Sequence, residues 1–246
     1  MSIFQELLRD DYSFEQAEAI QIKYQKLIKK SSKEDYITTL DMINTIVGLD
    51  ISYYTQDNHE YGIACAVLWN LKQNVKEKHF FLKDRIKFPY KAGFLGFREC
   101  KILAKLISNL PKKPDLIMCD GHGIIHPRRF GEAVHLGFAL DISSIGVAKN
   151  PYFGYSDWQK IEKIKGSKSF IWKEDPKVIQ KKSSNELLGF AVCLNNGSRP
   201  VFISEGYKIS LDLALKICLA TTKKHRQPEP LYLADYLSRK EISRHS

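Results

Sequence analysis

The chain has 246 residues, 43% hydrophobic and 27% charged, a balance that excludes a disordered or fibrous protein and allows one large domain with its own core. Lys plus Arg exceed Asp plus Glu by 38 to 28, a net charge of +10 that favours a polyanionic partner such as nucleic acid without requiring one. The five cysteines are scattered, odd in number and free of any C-x-x-C pair, which excludes a disulfide framework or a zinc knuckle.

The opening MSIFQELLRDDYSFEQ carries acids where a signal peptide needs an unbroken apolar segment, and no stretch approaches the roughly 18 apolar residues of a membrane span. The expectation is a cytoplasmic protein. Ser13 and Gln16 form a capping box ahead of AEAIQIKYQKLIKK, whose apolar spacing predicts an N-terminal helix over about 13–30. Ile46 to Tyr53 and Gly62 to Trp69, β-branched and apolar, flank a turn-like T-Q-D-N and predict a hairpin, which a strand near 79–86 extends into a meander.

After FPYKAG, Phe94 to Leu110 reads as an amphipathic helix stopped by Pro111. Asp115 to Asp120 reads as a short buried strand, Arg129 to Leu140 as a helix and Ser144 to Ala148 as another strand. That alternation predicts parallel strands. Asn150 to Ser184 reads as Lys-rich loops with one strand near 169–172; Leu187 to Leu194 and Pro200 to Ser204 form a second hairpin about Asn195 to Ser198. Asn196-Gly-Ser198 fits a glycosylation sequon but reads as a turn. A helix over about 211–222 and a last one after Pro230, within a basic C-terminal tail, complete the chain, with no repeat and no long linker, so residues 1–246 read as one domain.

Three carboxylates stand in comparable places. Asp50 interrupts an apolar strand, Asp120 ends one, and Glu99 lies on the helix between them. A lone carboxylate in apolar surroundings is costly unless paired or metal-bound, so each is either a strand-edge or turn acid or part of a cage of hard oxygen ligands of the kind Mg²⁺ prefers. After Asp120 the chain reads DGHGIIHPRR. A zinc pair of His122 and His126 would need a helix that Gly123 and Pro127 discourage.

The meander followed by alternating helices and strands resembles the ribonuclease-H-like α/β fold, a mixed sheet flanked by helices. The words GLDISY, FPY..GFLGFRE, DGHGIIHPRRFGEAVHLG, IGVAK and PEP..LAD, running from about residue 10 to about 240, resemble the endonuclease V family, which cleaves DNA or RNA near deaminated purines. The resemblance implies Asp50, Glu99, Asp120 and Asp235 as metal ligands for Mg²⁺, with Mn²⁺ as the alternative, and Lys149 as the active-site lysine beside the scissile phosphate. It implies a base pocket of Gly93, Leu95, Gly121, Gly123 and His126, with His126 and Arg128 positioning the loop or phosphates. Pro89 and Tyr90 match a strand-separating wedge.

Two places depart from the family: Lys91-Ala92 replaces the Ile-Pro of the wedge, and Tyr207 replaces a His after Gly206. The activity implied is metal-dependent cleavage of inosine-containing DNA or RNA at the second phosphodiester 3′ to the base, leaving 5′-phosphate and 3′-hydroxyl, by a monomer acting in repair. A non-catalytic inosine-binding protein and a structure-specific nuclease of the same fold remain as alternatives.

Overall fold

A computed structural model describes residues 3–30, 35–178 and 185–244. A short helix α1, Ile3–Leu7, precedes α2, Phe14–Lys30. The capping box closes α2 reciprocally: the Gln16 amide donates to Ser13 Oγ at 3.3 Å and the Ser13 amide to Gln16 Oε1 at 2.9 Å. The meander follows as β1 Thr45–Gln56, β2 His59–Asn70 and β3 Val75–Arg85. Asp57 and Asn58 join β1 to β2 in left-handed backbone, φ 49° and 57°, the two-residue turn whose twist matches that of the strands it joins. Then come α3 Leu95–Ser108, β4 Leu116–Cys119, α4 Glu132–Leu140 and β5 Ser143–Ala148. The chain continues with β6 Lys168–Trp172, β7 Leu187–Val192, β8 Val201–Tyr207, α5 Leu211–Thr221 and α6 Glu229–Ile242.

The strands form one mixed sheet in the order β3-β2-β1-β4-β5-β8-β7-β6. β1, β4 and β5 run parallel, and the remaining pairs are antiparallel. Side chains alternate across it: Ile46, Leu116, Met118 and Ile145 face α5 and α6, whereas Val47, Leu49, Ile117 and Cys119 face α3 and α4. Asp50 falls on the α6 side, and Tyr53, an odd number of residues on, falls on the α3 side with Glu99. The register Leu49↔Cys119↔Gly146 ends the parallel trio at one level, so that Asp50, Asp120 and Lys149 emerge from its carboxyl edge, where open α/β sheets bind ligands.

Two helix starts differ from the sequence expectation. α4 begins at Glu132 and not at Arg129, because Arg129 itself is left-handed at φ 52°. α6 begins at Glu229, with Pro230 inside its first turn, where a missing N–H costs nothing; most of the basic tail is this helix. β6 stands where one strand was expected in the Lys-rich segment, whose residues 179–184 lie outside the described ones.

Candidate active site

The four predicted acids and Lys149 meet at the carboxyl edge of the parallel trio. Lys149 Nζ lies 2.5 Å from Asp120 Oδ2 and 3.3 Å from Asp235 Oδ2. Burial works against its charge, but Asp120, Asp235 and Asp50 outweigh it and hold the ammonium above its ordinary pKa. Asp235 also pairs with Arg239 one turn along α6. Asp50 lies 3.0 Å from Ser238 Oγ, which is 2.7 Å from Ser52 Oγ. Ser52 stands two residues beyond Asp50 on one strand face, and Ser238 three beyond Asp235 on one helix face, so β1 and α6 meet through a hydroxyl relay.

Burial, then the charges of Asp120, Asp235 and Glu99, push the Asp50 carboxyl up to about 8. Glu99 is buried and is likewise pushed up, to about 7, chiefly by burial, while hydrogen bonds with Tyr53 and Glu132 hold it down. Tyr53 donates its hydroxyl to Glu99 Oε1; burial and the Glu99 charge raise its pKa far above the ordinary phenol value, so it remains a donor. Arg98, buried, donates to the Phe88 carbonyl at 2.8 Å, pairs with Glu60 and lies 4.6 Å over the Tyr53 ring.

Among the described residues no three Asp, Glu, His or Cys side chains are drawn together into a finished metal cage. The donor chemistry nevertheless fits a hard divalent cation. Asp50, Glu99, Asp120 and Asp235 offer only oxygens, and their mutual repulsion, visible in the raised Asp50 carboxyl, is the penalty such a cation would relieve.

Beside the acids opens a cavity of about 360 Å³ lined by Gly93, Leu95, Gly121, His126, Glu132, Lys149 and Tyr152, with Tyr90 at its edge. The backbone that shapes it is fixed by α2. Gln21 Nε2 donates to the Gly93 carbonyl at 2.9 Å, His126 Nε2 lies 3.0 Å from the same oxygen, and Arg128 Nε donates to Gln21 Oε1 at 2.5 Å. Gly93 stands at φ +88°, where a side chain would be strained and would also strike the Tyr152 hydroxyl. Burial holds His122 and His126 neutral, each near pKa 4, and both rings lie 5.7 Å from that of Tyr152.

Gly123 is placed differently from the expectation. It is not among the cavity-lining residues: a Cβ there would collide with the Glu205 main chain, and its amide donates to Ser204 Oγ at 2.8 Å. It is the contact that seats the loop on β8. His126 and Arg128 hold the loop, as described, and the His122–His126 segment is not helical. Pro89 and Tyr90 are exposed beside the cavity, Tyr90 at 73%. Tyr207 lies opposite Ser144 near the other end of β5, its hydroxyl 3.2 Å from Asp141, so this departure is remote from the acids.

A family model, Endonuclease V, matches residues 25–236. The chain belongs to the Endonuclease V family. The Endonuclease V of Dictyoglomus thermophilum is 42% identical over 160 residues, 65% of this chain and 65% of that relative. The crystal structure of Endonuclease V from Bacillus subtilis superposes with a TM-score of 0.83 at 26% identity, over 98% of this chain and 97% of that one. Endonuclease V of Ciona intestinalis, solved with a 24mer DNA containing an inosine followed by a ribo-adenosine, gives a TM-score of 0.75 at 27% identity, over 93% and 97%.

Four residues of this Endonuclease V site escaped the sequence reading: Tyr53, Ser238, Glu132 and Tyr152. Ser238 was legible as the i+3 neighbour of Asp235. Glu132 reads in sequence as an ordinary first-turn acid, which the helix dipole favours anyway.

Proposed function

We propose that the protein is a divalent-metal-dependent endonuclease that cuts inosine-containing DNA or RNA at the second phosphodiester 3′ to the deaminated base, leaving 5′-phosphate and 3′-hydroxyl. The observation that carries the reading is that one cavity is lined both by loop residues Gly93 and Gly121 and by Asp120 and Lys149, so a flipped base and a phosphate can be held side by side.

Asp50, Glu99, Asp120 and Asp235 would hold Mg²⁺ or Mn²⁺. The bound cation would supply a hydroxide-like water near neutral pH and neutralise charge on the leaving oxygen. The protein supplies the rest. Tyr53 fixes the Glu99 carboxylate and Ser238 that of Asp50, limiting the directions their oxygens can face. Lys149, now neutralised by Asp120 and Asp235, offers a point charge to a phosphate oxygen arriving beside them. Buried neutral His122 and His126 and the ring of Tyr152 line the base site and exclude water, while Tyr90 stands where it can stack into the gap left by the base.

The test is one inosine-bearing sequence and its adenosine counterpart, offered as single-stranded DNA, duplex DNA and RNA in Mg²⁺ at fixed salt. Cleavage confined to inosine strands one nucleotide beyond the base supports the reading. Binding without cleavage identifies an inosine-binding protein, and cleavage at branched DNA regardless of inosine identifies a structure-specific nuclease.

A further inference from the structure

Glu132 opens α4 and is only 4% exposed, yet its side chain lines the cavity beside Gly121. A carboxyl so deep would be expected to have a cation or a donor. Among the described residues it has no basic partner; the charges that bear on it are those of Glu99, Asp120 and Asp50, all acids, and it shares a hydrogen bond with the Glu99 carboxyl. Its Oε2 has no hydrogen-bond partner, and a Cβ on Gly121 would collide with that atom. Buried polar atoms left unsatisfied are rare in folded proteins, and one at the wall of a binding cavity points to a partner that arrives with the ligand.

We propose that Glu132 is a specificity-determining residue of the base pocket, its carboxyl accepting a hydrogen bond from the ring N–H that a deaminated purine carries and adenine lacks. The inference rests on the reading of the cavity as the site of a flipped base. Deamination at C6 of adenine replaces the amino group by a carbonyl and turns N1 from a lone-pair acceptor into an N–H donor. A protonated carboxyl could also donate to adenine N1, but the proton Glu132 shares with Glu99 is held in their mutual hydrogen bond, which leaves the unpartnered Oε2 to accept. Adenine would set the N1 lone pair against that oxygen and leave both unsatisfied, and a site built around a hydrogen bond rejects the analogue that lacks it far more strongly than an apolar pocket rejects a change of size.

The test compares binding of two otherwise identical single strands in Ca²⁺, one with inosine and one with unsubstituted purine, which has neither the ring N–H nor the carbonyl. Cleavage of both is then measured in Mg²⁺. Wild-type protein is expected to bind the inosine strand more tightly. Glu132→Leu should cut that preference about 10- to 100-fold, the discrimination carried by one good base contact, while changing purine-strand binding by no more than about twofold. Glu132→Gln, which keeps a carbonyl acceptor and nearly the same shape, should retain most of the preference; it also serves if the leucine variant does not fold. Equal losses on both strands, or a Gln variant that behaves as Leu does, would overturn the proposal, and a shift in the Mg²⁺ midpoint with an unchanged base preference would make Glu132 a metal-side residue instead. Preferential inosine binding that depends on Glu132, without cleavage in Mg²⁺, would leave this inference standing and sink the endonuclease reading.

Discussion

Lys149 Nζ sits 2.5 Å from Asp120 Oδ2, so an ammonium that lines the cavity is also the counter-ion of the acid beside it. Lys149→Ala should therefore have two effects. Cleavage at saturating substrate should fall by about 10²-fold, as when a charge-stabilising donor is removed, with a smaller loss of affinity. The metal-free variant should also unfold at a lower temperature than wild type, with Mg²⁺ restoring most of the difference, because the acids lose their internal cation. A change confined to affinity, with the salt slope reduced by about one, would make Lys149 an ordinary phosphate contact.

Asp50 lies in a different situation: burial and the charges of Asp120, Asp235 and Glu99 outweigh the pull of Lys149 on it. Its folded pKa, about 8, stands above the usual aspartate value, so its ionisation destabilises the fold progressively as pH rises from about 4 to about 8. Asp50→Asn should consequently raise the metal-free thermal midpoint at pH 7 while abolishing Mg²⁺-dependent cleavage and sparing inosine-strand binding. Asp120→Asn should abolish cleavage too, but without the gain, since it leaves Lys149 short of a partner. Near wild-type turnover in either variant would remove that residue from the metal site.

Tyr53→Phe removes the hydroxyl that donates to Glu99 while keeping the ring under Arg98. A hydrogen bond to a charged group is worth roughly 1.5–3 kcal/mol. The expected result is a Mg²⁺ requirement raised by about tenfold or more, with maximal cleavage recovered at high Mg²⁺. Titration of the metal against rate reads this directly; an unchanged Mg²⁺ midpoint would limit Tyr53 to packing.

How far these residues could be seen in the sequence depended on the range of their interactions. Local devices were plain: the Ser13–Gln16 box and the Asp57-Asn58 turn need only neighbours a few positions away. Asp50, Glu99 and Asp120 were legible because a carboxylate in an apolar run has few uses. Tyr53 was hidden because its odd offset from Asp50 sends it through to the α3 side, and only the packing of that helix brings Glu99 to it. Gly123 lies outside the cavity lining because the Glu205 main chain packs against it, a contact between distant segments that no local pattern announces. Resemblance alone picked out Asp235, whose place depends on α6 packing against β1, where Ser238 reaches Asp50 from 188 residues along the chain.

His135 offers a test of the fold. Its Nε2 lies 2.7 Å from the Leu7 carbonyl and its ring packs on Phe97 and Phe130, which fixes the neutral, Nε2-protonated form; burial lowers its pKa to about 4. An imidazole with a depressed folded pKa contributes full stability above the unfolded value, near 6.5, and loses it as pH falls toward 4. The loss should reach about 3 kcal/mol at pH 4. His135→Gln should be less stable at pH 8 but show a shallower decline between pH 6.5 and 4 in denaturant melts. Parallel curves would show that other groups govern the acid transition.

The segment that matches the family's wedge is a place where departure from the family has a structural counterpart. Lys91, in place of the family's Ile, lies 4.3 Å over the Phe14 ring and 5.6 Å over Phe94, and Phe88, three residues earlier, is buried with its carbonyl held by Arg98 at 2.8 Å. The loop is thus tied down on both sides of Tyr90, which itself is 73% exposed beside the cavity. A stacking aromatic is worth roughly 1–3 kcal/mol per base. Tyr90→Ala should lose about that much on duplex inosine substrate, where the gap must be held open against re-pairing, and much less on a single strand, which has no partner base to exclude. Lys91→Ala should reproduce part of the duplex loss by loosening the loop while leaving the ring in place. Equal losses for Tyr90→Ala on single-stranded and duplex substrates would mean that the ring supports the site for every substrate alike and separates no strands.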